Sequence, residues 1–165
     1  RRRSMGENEI SSFNWRNVGV KRERNHEALI SRLYGSNRSI FQYLKDIMVF
    51  AAMVGHSLQE KREISGETVE IILDTYASDQ KDGFIYLLGL LDEKDGKILK
   101  DEHLRSAVKV FEEYCNAGLY TIEKWLDDNP GDPDGVDTLL EKIYERLAEN
   151  EKEHGVSNED IDLDV

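Results

Sequence analysis

Apolar residues recur along most of this chain at the three- and four-residue spacing of amphipathic helices. The first such stretch predicts a helix over residues 25–34, capped by Asn25, with Leu29, Ile30 and Leu33 on one face and Gly35-Ser36-Asn37 as its breaker. A second helix is predicted over residues 39–56. Ile40, Phe41, Leu44, Ile47 and Met48 mark one side of its first half, while Ile47 to Gly55 has no polar side at all. A helix apolar all round must be covered by protein on every side. The small Ala51-Ala52 pair within it suggests close approach by another helix, of this chain or of a second subunit.

Residues 61–73 fit a short hairpin turning at Ser65-Gly66, and residues 67–76 also fit a short helix. The β-branched Thr68, Val69, Ile71 and Ile72 favour the extended form. Beyond this segment the period is helical again. Asp79 or Asp82 caps a mostly buried helix through Phe84, Ile85, Leu87, Leu88, Leu90 and Leu91, and residues 92–96 turn. From about residue 101, Leu104, Val108, Phe111 and Cys115 form one stripe. The helix is expected to bend at Asn116-Ala117-Gly118 and to continue through Leu119, Ile122, Trp125 and Leu126. Both prolines fall in the loop at 129–135, and a last helix over 135–153 carries Leu139, Leu140, Ile143, Tyr144 and Leu147 on one side. The pattern thus predicts a mostly α, single-domain bundle of about five to six helices, with a short β-hairpin near residues 61–73.

The 165 residues suit one domain with a core. Residues 1–22 read as a cloning remnant around a start at Met5 followed by a flexible arm, 23–154 as the helical domain, and 155–165 as an acidic, disordered tail. Nothing approaches the ~20 apolar residues of a membrane span, and the single cysteine excludes an internal disulfide. A cytoplasmic location is the expectation.

Charge changes the picture more. Residues 1–45 hold 10 bases against 4 acids, while residues 46–165 hold 12 against 30, for a net of −12 over the chain. The basic cluster is Arg16, Lys21, Arg22, Arg24, Arg32, Arg38 and Lys45. One reading is a surface for nucleic-acid phosphates. The other is a face that closes on the protein's own acids or is simply solvated, which is the commoner fate of charge runs.

Candidate chemistry is sparse. EF-hand loops with Gly96 or Gly135 at position 6 would put Leu91 or Pro130 at position 1, where an oxygen ligand is required. Both segments therefore read as turns. His26, His56, His103 and His154 lie apart, without the spacing of a zinc site. His103 and Cys115 are ~18 Å apart on a straight helix, too far for a nucleophile–base pair. Cys115 completes an apolar stripe, the position of a structural thiol. The expectation is no metal, no cofactor and no catalytic residue.

Several segments do resemble a known family. His26-Glu27 through Leu33, the run Tyr43-Leu44-Lys45-Asp46-Ile47 onward to Gly55, Phe84-Ile85-Tyr86-Leu87-Leu88-Gly89-Leu90, Ile98-Leu99, and Phe111-Glu112-Glu113-Tyr114-Cys115-Asn116-Ala117-Gly118-Leu119 are similar to a small accessory family associated with DNA phosphorothioation (Dnd) systems. The similarity covers residues 20–127. It implies a setting in machinery that replaces a backbone oxygen of DNA with sulfur and uses the mark in defence against foreign DNA. It brings no catalytic residues. The expected role is a non-enzymatic accessory protein that binds DNA, phosphorothioated or not, or the larger proteins of the system, and that can form a homodimer. The residues expected on DNA are Arg22, Arg24, Arg32, Arg38 and Lys45. The alternatives are a dimeric DNA-binding regulator of the defence operon and a metal-dependent nuclease component, which would need clustered carboxylates with histidine.

Overall fold

The computed structural model describes residues 13–34 and 39–155. Besides four short 3-10 helices, the described residues form six α-helices and two strands: β1 Gly19–Glu23, α1 Glu27–Leu33, α2 Leu44–Ser57, β2 Thr68–Ile72, α3 Leu73–Ala77, α4 Asp82–Glu93, α5 Leu104–Asp127 and α6 Val136–Gly155. The mostly α, single-domain architecture read from the sequence is the one observed. None of these helices is long and apolar enough to cross a membrane.

α2 and α5 cross at the centre, and small residues allow the crossing. A Cβ on Gly118 would sit 1.8 Å from the carbonyl oxygen of Ala51, and one on Gly55 would sit 2.1 Å from that of Tyr114. The second helix that Ala51-Ala52 anticipated is therefore α5 of the same chain. α5 runs unbroken where a bend was expected, because Asn116, Ala117 and Gly118 are buried against neighbouring elements instead of marking a turn.

The sheet corrects two expectations. Thr68–Ile72 is extended as predicted, but its partner is not Lys61–Ile64. It pairs antiparallel with Gly19–Glu23, with Val20 opposite Ile71 and Arg22 opposite Val69. Residues 19–22, read as the end of an arm, are thus a strand, with Val18 and Val20 buried in the core. Local patterning missed the pairing because its two halves lie some fifty residues apart and only one shows a β-branched run. Residues 1–12 of the expected arm and residues 156–165 of the expected tail lie outside the described residues.

Two further expectations fail on burial. α4 buries Ile85, Leu88 and Gly89, yet Phe84, Leu87 and Leu91 are 37%, 46% and 46% exposed. On α2, seven of the residues from Ile47 to Gly55 are buried, but Phe50 and Met53 remain half-exposed. Their side of the helix opens onto a groove.

Glu112 on α5 is a titratable group in the packing. Its Oε2 accepts from the backbone N of Lys21 at 3.0 Å. Burial, with Glu70 and Glu113 nearby, pushes its carboxyl from 4.5 to about 7 despite the favourable bond and charge of Lys21. The folded value lies above the unfolded one, so the stability it supplies is full below about pH 4.5 and is lost as pH rises through 7. Glu112→Gln is expected to flatten that slope and to stabilise the protein at pH 8 by roughly 1–3 kcal/mol. Urea denaturation between pH 5 and 8 measures it.

Candidate protein-docking groove

α6 leaves the body at a loop built to aim it. Gly135 takes a left-handed φ of 73°, which glycine adopts without strain. Asp132 Oδ2 accepts the backbone N–H of Thr138 at 2.8 Å. Bonds from Thr138, backbone first and then side chain, hold the Asp132 carboxyl below its ordinary range. Arg32 closes the loop from α1, its Nη2 donating to the carbonyl of Asp132 at 2.7 Å and its Nε to that of Pro133 at 2.9 Å. Farther along, Arg146 donates to the carbonyl of Ser57 at the end of α2.

Held at these points, α6 buries Leu139 but little of the rest of its stripe. Leu140, Ile143, Tyr144 and Leu147 are 47%, 40%, 66% and 53% exposed. Ile143 and Leu147 face Phe50, Met53 and Val54 of α2 and Trp125 of α5 across a groove of 390 Å³. Four exposed apolar residues at helical spacing beside an apolar concavity make a surface of the kind that marks interaction sites. Its two bases are neutralised on α6 itself, Lys142 by Glu145 at 3.0 Å and Arg146 by Glu149 at 2.9 Å. Over the whole helix, six acids stand against three bases.

The expected DNA-contacting residues do different things. Arg22 is buried, its Nη2 on Glu27 Oε2 at 2.9 Å, and its Nη1 is buried without a hydrogen-bond partner among the described residues. Lys45 is buried too, its Nζ on Asp79 at 3.0 Å and on the carbonyl of Thr75 and the hydroxyl of Ser78, both at 3.2 Å. It ties α2 to the end of α3. Arg32 serves the α6 loop, as above. Arg24 is exposed and lies 3.4 Å from Glu67, and Arg38 lies outside the described residues. Much of this basic segment closes on the protein's own acids and carbonyls.

A buried polar hub lies where β1, α1 and α5 meet, which the sequence did not reveal. Glu23, 2% exposed, accepts at Oε1 from the backbone N of Ser65 at 2.9 Å and from Asn116 Nδ2 at 3.0 Å, and at Oε2 from the Tyr120 hydroxyl at 2.5 Å. Asn116 Nδ2 also faces the carbonyls of Arg62 and Glu63, so its Oδ1 is the acceptor for Nε2–H of the buried His26 at 2.8 Å. Burial alone would raise the Glu23 carboxyl. The bonds from Tyr120, Ser65, Asn116 and Asn25 outweigh it and bring the value from 4.5 to about 2. Cys115 is fully packed, its Sγ 3.7 Å from Met48 Sδ, and burial pushes its thiol well up, which keeps it protonated. Among the described residues no three His, Cys, Asp or Glu side chains come together as a metal site.

The chain is therefore a small, mostly helical domain with one long-range strand pair, whose last helix is largely uncovered. It belongs to the DNA sulphur modification system-associated protein 4 family, whose model matches residues 19–164. The resemblance noted in the sequence is borne out, and the match extends past residue 127, so α6 and its groove lie within the family's domain. Neither the curated proteins nor the solved structures give a significant match.

Proposed function

We propose that this protein is a non-catalytic accessory component of a DNA sulphur modification system, and that it works by docking another protein of that system in the groove between α2, the end of α5 and α6. The observation that carries this reading is the stripe Leu140–Ile143–Tyr144–Leu147, left exposed beside an apolar concavity. Leaving so much apolar surface in water costs about 25 cal/mol per Å², and a partner that covers it recovers that free energy.

Charge selects the occupant. Two copies of a chain of net charge −12 repel one another, as do this chain and bulk DNA. The excess of acids over the whole of α6, six against three bases, favours a segment that pairs apolar residues with bases, in the manner of an amphipathic helix laid in a groove. Half-exposed Met53 and Trp125 suit such a contact, since methionine adapts its shape and tryptophan supplies much area at small entropic cost.

The test is co-expression with the other proteins of the system, one of them tagged. The wild-type chain is expected to be retained. Ile143→Asp and Leu147→Asp alter exposed positions, so each is expected to keep its fold and to weaken retention by about tenfold or more. Retention of both variants at wild-type level contradicts the reading.

A further inference from the structure

Where α2 ends, the chain turns through Gln59, whose φ of 55° is uncommon for a residue other than glycine. It then runs across α5, and Arg62 is fixed there from several sides. Its N donates to the carbonyl of Glu113 at 3.0 Å, and its carbonyl accepts from Asn116 Nδ2 at 3.3 Å. Its guanidinium lies 3.5 Å from the ring centre of Tyr120. Tyr120 is itself anchored by its hydroxyl to Glu23 Oε2 at 2.5 Å and to Asn25 Nδ2 at 2.9 Å. Arg62 is nevertheless exposed. In a chain with 34 acids, no carboxylate among the described residues pairs with it. The same holds for Lys124, one helical turn beyond Tyr120. Both line an open cavity of 580 Å³ together with Gln59, Lys61 and Thr121, and Glu60 is the one acid lining it among the described residues. Lys61 is already held by Asp92 at 2.9 Å.

We propose that this cavity is a phosphate-binding site. A guanidinium held 3.5 Å over an aromatic ring keeps its fork in position, which suits it to two oxygens of one phosphate and reduces the entropy lost on binding. Lys124 supplies a second charge, the Thr121 hydroxyl a further donor, and Lys61 adds positive field without leaving Asp92. The site shares no lining residue with the docking groove and does not depend on it. Nor does it use the arginines of the first forty-five residues. Inorganic phosphate and the phosphates of a DNA backbone offer the same chemistry, and two ligands separate them.

The full chain is titrated with inorganic phosphate, followed by the NMR signals of the backbone amides of Gln59, Lys61 and Thr121, which line the cavity and are present in every variant. In parallel it is titrated with labelled single- and double-stranded oligonucleotides, followed by anisotropy at about 20 mM salt, where phosphate contacts are strongest. Binding is expected to shift these amide signals. Arg62→Gln with Lys124→Gln is expected to weaken it by about tenfold or more, while Arg24→Gln stays within about twofold. Should Arg62→Gln disturb the fold, the single variant Lys124→Gln, on the solvent side of α5, gives the decisive comparison. A response to both ligands assigns the site to nucleic-acid phosphate, and a response to inorganic phosphate alone assigns it to a small phosphate. No binding of either, or binding that survives the double variant, overturns the proposal.

Discussion

Gly118→Val is expected to abolish the fold, and Gly118→Ala to destabilise it by roughly 3 kcal/mol or more. The added Cβ would lie 1.8 Å from the carbonyl oxygen of Ala51. That atom belongs to helical backbone and cannot swing aside as a side chain would. α2 and α5, the two helices that cross at the centre, must then move apart, and their buried surfaces separate with them. Gly55→Ala, which meets the carbonyl of Tyr114 at 2.1 Å, should behave alike. Gly83, on α4, is the control: nothing lies within 4 Å of the place its Cβ would take. Gly83→Ala should stabilise slightly, by about 0.5–1 kcal/mol, through helix propensity. Urea denaturation of the three alanine variants gives the ranking directly. Equal effects at Gly118 and Gly83 would mean that the helices do not cross this closely.

The second large effect belongs to Glu23. Glu23→Ala leaves the N–H of Ser65 and the hydroxyl proton of Tyr120 without their acceptor and takes one of three acceptors from the Asn116 amide, at an expected cost of about 3–5 kcal/mol. Glu23→Gln should cost less, because its carbonyl oxygen can still accept part of the set. Acidity gives an independent readout. The folded carboxyl, at about 2, lies below its ordinary 4.5. Its contribution is therefore complete above about pH 4.5 and is lost as pH falls through 2. A shift of this size corresponds to about 3 kcal/mol. Wild type should lose that much between pH 5 and 2 relative to Glu23→Gln. Because Glu112 acts in the opposite sense, these two groups together favour stability most near pH 4.5. A wild-type acid limb no steeper than that of Glu23→Gln would show that the hub does not hold an ionised carboxylate.

What the sequence made legible follows from what is local. Helical spacing located α1, α4, α5 and α6 to within a few residues, and the two prolines marked the loop before α6. Ala51-Ala52 correctly implied a close helix neighbour. Long-range facts stayed hidden. Val20 meets Ile71 only after the chain has folded back through α1 and α2, and no period within Gly19–Glu23 announces a strand. The polar hub was invisible for the same reason, since Glu23, His26, Asn116 and Tyr120 come from segments some ninety residues apart.

The candidate site was half legible. The apolar stripe of α6 could be read, yet an amphipathic stripe looks the same whether it is buried or waiting for a partner. Exposure of 40% at Ile143 and 53% at Leu147 makes the difference, and only the folded chain supplies it. The basic residues carried the reverse lesson. Arg22 and Lys45 look available in a charge count, but Glu27 and Asp79 occupy them. Arg62, unremarked in the sequence, lies over Tyr120 because the hub beneath fixes that ring, and no acid among the described residues pairs with it.

The central claim, that the α2–α6 groove receives a protein of the same system, is tested most directly by hydrogen–deuterium exchange on the co-purified complex against the free chain. Protection is predicted at residues 50–58 and 140–149, the two sides of the groove, with α4 unchanged. A complex that leaves both segments exchanging as in the free chain, and protects Phe84, Leu87 and Leu91 instead, would contradict it.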